Sequence, residues 1–410
     1  MQKDPQHQRA LPHMPQLDGV RALAVAAVLV HHFGGPLPLS LNQIWWGTLG
    51  VRLFFVLSGF LITGILLRSR ELAEASGGSR SSATWQFYVR RSLRIFPIYY
   101  LVIAICAAIN IPPVRELLGW LLTYTLNIQC ALQGWFPDNV SHFWSLAVEE
   151  QFYLVWPWLV LFAPRKWLAR LTLMTVVAGL MFRLSMVPLG ATWTAGYVLP
   201  FAALDALGLG ALLAISANPK FSNSVLRAFF ARYALPASVL GYGLVVLLWY
   251  VGVESLECYS ALSDTTSALF FVWLVGSAAR GFRGPAGAIL QCRPFLYCGK
   301  ISYGIYVYHM FATMVMVKIL SLFGARYSAH GWLDFGFVTA ATIIMASLSW
   351  YLFEQPISSL KRYFAYNTIA TSRAARSNDA GQEELAAICL ANPIQNDPLI
   401  VIPTANCVEP

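Results

Sequence analysis

Charged residues are scarce in this sequence. Lys, Arg, Asp and Glu make up 11% of its 410 residues, whereas a soluble globular domain carries roughly a quarter. Hydrophobic residues account for 57% and mean hydropathy is +0.58. A single globular core cannot absorb so much apolar sequence, but a lipid bilayer can. The scarcity of charge therefore excludes an ordinary soluble domain, and the 14 Trp and 18 Tyr residues are typical of two interfacial aromatic belts.

Several motifs of energy-coupled and hydrolytic enzymes are also absent. There is no GxxxxGKS or GxxxxGKT phosphate loop, which excludes an ATP-driven pump acting alone. No GxSxG nucleophile elbow and no HExxH zinc motif occurs. The seven Cys residues form no CxxC pair and no Cys/His zinc pattern, so we expect no metal cofactor.

Long apolar stretches recur between polar gaps, and each is close to the roughly 20 residues that cross a hydrocarbon core. They lie at residues 18–34, 47–67, 93–110, 143–163, 169–188, 198–215, 233–252, 262–280, 301–322 and 332–353. We therefore predict an all-α, polytopic membrane bundle of about ten transmembrane helices, with an interfacial or re-entrant helix over 116–128. The predicted membrane domain covers residues 17–356. It follows an N-terminal segment, 1–16, and precedes a polar, poorly ordered tail, 357–410.

The basic residues predict the orientation. With both termini in the cytoplasm, all but six of the 28 Lys and Arg residues fall in inner segments, as the positive-inside rule requires. The six exceptions are Arg21, Arg52, Arg115, Arg183, Lys318 and Arg326. Because the positive charge follows topology and forms no single patch, the basic composition gives no support to nucleic-acid binding.

The first predicted helix contains ionisable residues on one face. Arg21 and His32 are eleven residues apart, which is three helical turns, so they share a face about 16 Å apart along the axis. Asp18 precedes Arg21 by one turn and can pair with it, whereas His31 points away. This alignment favours a polar, protein-lined interior. The alternative is that Asp18 and Arg21 anchor one helix end and the histidines lie among outer headgroups.

A second group of candidates lies in the stretch HFWSLAVEEQFYLVWP, residues 142–157. Glu149 and Glu150 fall within the membrane, where a carboxylate costs about 2.5–3.5 kcal/mol unless it is paired or hydrated. Glu149 is the stronger functional candidate, as an acceptor for a His, an Arg or a substrate hydroxyl. The alternative is a structural ion pair with Arg52 or Arg183.

A third group lies at the inner end of the third predicted span. Arg90, Arg91 and Arg94 precede Pro97, and Arg90 and Arg94 share a helix face. Clustered guanidinium groups at the cytosolic boundary suit the phosphates of a nucleotide-like cofactor. Positive-inside anchoring is the alternative interpretation.

Weaker candidates are scattered through other spans. Ser58 and Gly59 suit close helix packing. His309 and Asp205 lie near mid-membrane, where structural hydrogen bonding is the usual role, and Glu354 before Gln and Pro is typical of a helix end.

Six motifs occur in a fixed order along the chain: LDGVRALAV, FFVLSGFLIT, RRSLRIFP, HFWSLAVEEQFY, SYGIYVYH and FEQP. Together they resemble the acyltransferase 3 family of membrane-bound acyltransferases over residues 17–356. Members of that family O-acetylate lipopolysaccharide, peptidoglycan and Nod factors, or acylate macrolides. The resemblance implies that His32 is catalytic, with Arg21 as its motif partner. It also implies that Arg91 and Arg94 form the family's basic element and that Glu149 is the Glu of its SLxxE motif.

The expected activity is therefore transfer of an acetyl or other acyl group from cytosolic acetyl-CoA to a hydroxyl of an extracytoplasmic or lipid-linked glycan, in a bacterial inner membrane. His32 either takes the proton of the attacking hydroxyl or is itself acylated, and the sequence leaves both routes open. Some family members carry a C-terminal SGNH-type domain. We expect the stand-alone form here, with a separate periplasmic partner left open. The alternative function is a glycolipid or polysaccharide transporter or flippase without acyl transfer.

Overall fold

The computed structural model describes residues 14–34, 44–186, 188–222, 224–252, 256–322 and 331–364. All regular structure within these residues is helical. The α-helices are α1 (Pro15–Phe33), α2 (Trp46–Ser76), α3 (Arg80–Ala108), α4 (Leu118–Leu122), α5 (Leu126–Gln133), α6 (Phe143–Phe162), α7 (Arg165–Met186), α8 (Trp193–Val198), α9 (Leu204–Ala217), α10 (Ser224–Ala228), α11 (Ala234–Tyr250), α12 (Leu256–Arg280), α13 (Gly284–Leu290), α14 (Arg293–Lys300), α15 (Ser302–Leu322), α16 (Trp332–Ser349) and α17 (Gln355–Ser359). Single turns of 3₁₀- or π-helix extend some of them, at Pro200–Ala203, Phe229–Tyr233, Trp350–Glu354 and Leu360–Phe364.

Each of the ten predicted spans coincides with a helix, or with a helix extended by such a turn, so the all-α membrane bundle is confirmed. Seven helical stretches in the described part of the chain are long and apolar enough to cross a bilayer. The other predicted spans are α1, α6 and α15. Helices α1 and α6 contain most of the ionisable candidates, which lowers their hydropathy. The protein is a multi-pass membrane protein.

The two ends of the bundle carry different residues. At one end, here called the basic end, Glu74 of α2 pairs with Arg70 and Arg80, at 3.0 and 2.8 Å, and with Arg165 at the start of α7. At the other end, here called the histidine end, α1 finishes with His32 and α6 begins after His142.

Helix α2 lies at the centre, in contact with α1, α3, α6, α9 and α12. Its contact with α9 depends on glycine. A Cβ on Gly59 would collide with the backbone carbonyl of Leu207, and one on Gly210 would collide with that of Val56. Because neither glycine has a side chain, the backbones of α2 and α9 come into contact, as is common where small residues face each other in membrane bundles.

A buried ion network joins four helices around α2. Asp205 on α9 accepts hydrogen bonds from Arg52 on α2, at 2.6 Å, and from Arg183 on α7, at 2.6 Å. Arg52 also pairs with Asp264 on α12, at 3.3 Å. The alternative of a Glu149 ion pair with Arg52 or Arg183 is therefore wrong, because both arginines are committed to Asp205.

Two local predictions need correction. The helix does not stop at Glu354: the chain stays helical through Ser359 and turns again at Leu360–Phe364. The predicted helix over 116–128 is instead two short helices, α4 and α5. Residues 1–13 and 365–410, which hold most of the predicted terminal segments, lie outside the described residues.

Candidate functional site

A cavity of about 160 Å³ lies inside the bundle. Here called the central cavity, it is bounded by α1, α2, α3, α6 and α15. Its wall on α2 runs from Val51 to Ile65. At 1.5 Å per residue this is about 21 Å, most of the roughly 30 Å hydrocarbon thickness. Four sequence-predicted site residues line it: Arg21, Arg91, Arg94 and Glu149.

Glu149 is held within the cavity wall by hydroxyl groups. Ser58 of α2 donates a hydrogen bond to its Oε1 at 2.8 Å, and Tyr153, one turn further along α6, donates to its Oε2 at 2.8 Å. These donors compensate for part of the cost of burying a carboxylate. The structure does not bring Glu149 to the histidines, since it lies seven residues, or about 10 Å, from His142 along α6.

Guanidinium groups supply the positive charge of the cavity. Arg21 forms an ion pair with Asp18 at 2.7 Å, as the sequence spacing predicts. Arg91 lies over the ring of Tyr153, 4.1 Å from its centroid. Arg94 makes no hydrogen bond or ion pair with the described residues, although it faces the cavity. Arg91 and Arg94 are therefore positioned to bind an anionic group within the cavity.

Arg90 occupies a different place. Its guanidinium donates hydrogen bonds to the backbone carbonyls of Lys361 and Phe364, at 2.9 and 3.2 Å. It thus holds the last described turn of the chain at the basic end. The structure does not bring Arg90 to the wall of the central cavity, where Arg91 and Arg94 lie.

At the histidine end, His32 is part of a row of three imidazoles. Its ring centroid lies 5.1 Å from that of His309 on α15, which in turn lies 4.8 Å from that of His142. His32 is half-buried, His142 and His309 are buried, and the neighbouring His31 is exposed. In the described part of the chain, no group of three His, Cys, Asp or Glu side chains converges in a way that would hold a metal ion.

One layer of side chains separates the row of histidines from the cavity. The hydroxyls of Ser145 and Tyr306 line the cavity and lie 2.5 Å apart. The Tyr306 hydroxyl also donates to the backbone carbonyl of His142 at 3.0 Å. The cavity therefore ends directly beneath the histidines.

Sequence reasoning did not single out His142 and treated His309 as a weak candidate. A signal for them exists in the spacing of polar residues. On α6, His142, Ser145 and Glu149 are separated by three and four residues, which places them on one helix face. On α15, Tyr306 and His309 are three apart. Which faces meet depends on packing between helices remote in sequence, so the spacing alone could not assemble the site.

The fold and site define a class: a helical membrane protein with a charged internal cavity that one layer of side chains separates from a group of histidines. The sequence model of the family described as the acyltransferase domain, the acyltransferase 3 family, matches residues 14–354. This chain belongs to that family.

Similar curated proteins come from several bacteria. The chain is 29% identical over 376 residues to the peptidoglycan O-acetyltransferase OatA of Listeria monocytogenes, with 84% of this chain and 56% of that protein covered. It is 27% identical to the putative peptidoglycan O-acetyltransferase YrhL of Bacillus subtilis, with 86% and 55% covered. It is 28% identical to nodulation protein 10 of Rhizobium leguminosarum, with 87% and 96% covered. The chain spans little more than half the length of the first two relatives. No solved structure matches it.

Proposed function

We propose that the protein transfers an acetyl group from cytosolic acetyl-CoA to a hydroxyl of an extracytoplasmic or lipid-linked glycan. The observation that carries this proposal is the central cavity itself, which runs from Arg91 and Arg94 to the Ser145–Tyr306 layer beneath His142 and His309, the latter in ring contact with His32. A donor and an acceptor on opposite sides of a membrane need such a passage. The two relatives named as peptidoglycan O-acetyltransferases support envelope glycan as the acceptor class.

The dimensions of the cavity favour a narrow acyl arm. A volume of about 160 Å³ is below the roughly 300–1,000 Å³ of sites that enclose a whole cofactor. In this proposal Arg91 and Arg94 bind phosphate oxygens of the donor, and the thioester arm extends toward His32. Arg21 and His32 are about 16 Å apart along α1, the length of about five extended peptide units, which a phosphopantetheine arm can span.

The charges of the cavity suit this donor. Three arginines face one ion-paired aspartate and one glutamate, so the wall keeps an excess of positive charge. Arg94, which makes no hydrogen bond or ion pair with the described residues, is the principal anion ligand in this proposal. Arg90 contributes to donor binding from the basic end, through the turn Leu360–Phe364 that it holds. Arg21 stabilises negative charge along the arm, and Glu149 orients it.

His32 performs the transfer step in either of two ways. As a neutral imidazole it takes the proton of the glycan hydroxyl while that oxygen attacks the thioester carbonyl. Alternatively, His32 attacks first and carries the acetyl group as a covalent intermediate. In both routes the basic end faces the cytoplasm and the acceptor approaches the half-exposed His32 from outside. A separate periplasmic protein is a candidate partner for completing the transfer.

The test uses purified protein in liposomes with radiolabelled acetyl-CoA and cell-wall glycan fragments. We expect label to move to the glycan, and His32→Ala to reduce the rate by a factor of about 100 or more. His31→Ala is the matched control, because His31 is adjacent but exposed, and it should remain active. If the wild-type protein neither binds nor consumes acetyl-CoA, the transferase proposal fails and a glycolipid transporter becomes the better interpretation.

The two routes differ before any acceptor is added. Rapid quenching without glycan should give acetylated protein in the covalent route, and that label should be absent from His32→Ala. In the direct route, wild-type protein should acquire no label yet still transfer acetyl groups once the glycan is present.

A further inference from the structure

The two buried histidines beside His32 have defined tautomers. Nδ1 of His309 lies 2.6 Å from the backbone carbonyl of Tyr306, and Nε2 of His142 lies 3.2 Å from that of Val307. A carbonyl oxygen can only accept a hydrogen bond, so each of these nitrogens carries the proton. The other nitrogen of each neutral ring, Nε2 of His309 and Nδ1 of His142, is therefore an acceptor.

Both acceptor nitrogens are buried without a hydrogen-bond partner among the described residues. His309 is 0% exposed and His142 is 3% exposed. Most buried polar atoms in folded proteins are satisfied, and an unsatisfied acceptor costs about 1–3 kcal/mol. Such an acceptor next to a proposed reactive residue therefore calls for a donor that arrives during function.

The ring of His32 packs against that of His309, and His32 can supply an N–H donor. An N–H···N hydrogen bond of about 2.9 Å, with the two ring radii added, gives a centroid separation close to the observed 5.1 Å. His32 is half-buried, its ring packs against those of His31, Phe33 and His309, and it forms no hydrogen bond with the described residues. Each of His32 and His142 packs against the ring of His309, whereas no ring contact between His32 and His142 is found in the part of the chain that the structure describes.

We propose that His309 is a positioning residue for His32: its Nε2 accepts the N–H of His32 and thereby directs the other ring nitrogen of His32 toward the acceptor hydroxyl. This inference rests on the proposed acetyltransferase function. In the direct route, the hydroxyl oxygen attacks the thioester carbonyl and its proton passes to the free nitrogen of His32. The C–S bond then breaks, and the departing thiolate takes that proton.

In this arrangement His309 orients His32 as the carboxylate of a catalytic triad orients its histidine, with a neutral imidazole in place of the carboxylate. The imidazolium that forms on His32 is stabilised by its hydrogen bond to His309, because a hydrogen bond from a charged donor is stronger than one from a neutral donor. This added strength is present only while His32 is charged, so it accelerates the chemical step and leaves ground-state binding almost unchanged.

The test compares His309→Phe, which fills the space without an acceptor, with His309→Gln, whose side-chain oxygen can replace Nε2. We expect His309→Phe to lower kcat by a factor of about 10–100 with KM for acetyl-CoA and glycan changed less than about threefold. His309→Gln should restore a large part of kcat. His142→Phe is the matched control, since it alters an equally buried, carbonyl-anchored ring that does not pack against His32, and its loss of kcat should be smaller.

Thermal unfolding of each variant in detergent separates folding from chemistry. A folded His309→Phe protein with wild-type kcat would overturn the proposal, as would equal losses in His309→Phe, His309→Gln and His142→Phe. An inactive wild-type protein would instead contradict the proposed function, so the two failures are distinguishable.

Discussion

The carboxylate of Asp205 binds two arginines, with one oxygen, Oδ2, lying 2.6 Å from both Arg52 and Arg183. The three side chains are at most 5% exposed and come from three different helices. Charges in a low-dielectric interior are costly unless they are paired, and removal of one partner leaves the others uncompensated. The network therefore makes the packing of α2, α7 and α9 dependent on one residue.

Asp205→Ala should be strongly destabilising. It leaves Arg183 without a carboxylate, and breaking a buried ion pair lowers the free energy of unfolding by about 3–5 kcal/mol. The double variant Asp205→Leu with Arg183→Leu removes the charges together and keeps the Arg52–Asp264 pair, so it should recover much of the stability. Size-exclusion profiles of heated, detergent-solubilised protein measure the thermal stability of the single and the double variant. A double variant as unstable as Asp205→Ala would show that hydrogen-bond geometry, and not charge balance, dominates.

Gly59 should be intolerant of a methyl group, while Gly64 on the same helix should accept one. A Cβ on Gly59 meets the backbone of Leu207, whereas nothing lies within 4 Å of a Cβ on Gly64. Overpacking costs about 1–3 kcal/mol or more, and Ala in place of Gly within a helix gains up to about 1 kcal/mol. Gly59→Ala should therefore lower the melting temperature and Gly64→Ala should not. Equal melting temperatures would contradict the close α2–α9 contact.

Several features of the fold and of the candidate site depend on the residues of one helix alone. The spans depend on local hydropathy, and the Asp18–Arg21 pair depends on one helical turn, so both could be predicted from the sequence. Glu149 is a candidate from sequence because a carboxylate within a bilayer carries a free-energy cost. Its partner Tyr153 lies one turn further on α6, yet its partner Ser58 lies on another helix.

Contacts between distant helices were beyond such reasoning. Asp205 and Arg52 are 153 residues apart, and their pairing depends on how α2 and α9 pack. His142, His309 and His32 likewise come from three helices that meet only in the folded bundle. Hydropathy and periodicity describe one helix face at a time, and they do not determine which faces meet.

Arg94 and Arg90, one helical turn apart, should differ in their effect on donor binding. Arg94 faces the cavity and makes no hydrogen bond or ion pair with the described residues, while Arg90 binds carbonyls of residues 361 and 364. A charge-assisted hydrogen bond contributes about 1.5–3 kcal/mol, so Arg94→Ala should raise KM for acetyl-CoA by a factor of about 10 or more. Arg90→Ala should raise it less. Steady-state kinetics with varied acetyl-CoA measure both, and a larger effect at Arg90 would place the donor's phosphates outside the cavity.

Glu149 and Glu150 provide the last matched pair. Only Glu149 lines the central cavity, and its two oxygens accept hydrogen bonds from Ser58 and Tyr153. Glu149→Gln keeps the size but replaces one acceptor oxygen with a donor, so Ser58 and Tyr153 can no longer both donate to this side chain, and the polar wall rearranges. Because reacting groups depend on sub-ångström placement, we expect kcat/KM to fall by a factor of about 100. Glu150→Gln should lower kcat/KM by a factor of less than about 10, because Glu150 does not line the cavity. If the two variants were equally active, Glu149 would be a structural carboxylate, and the polar character of the passage would depend on its arginines alone.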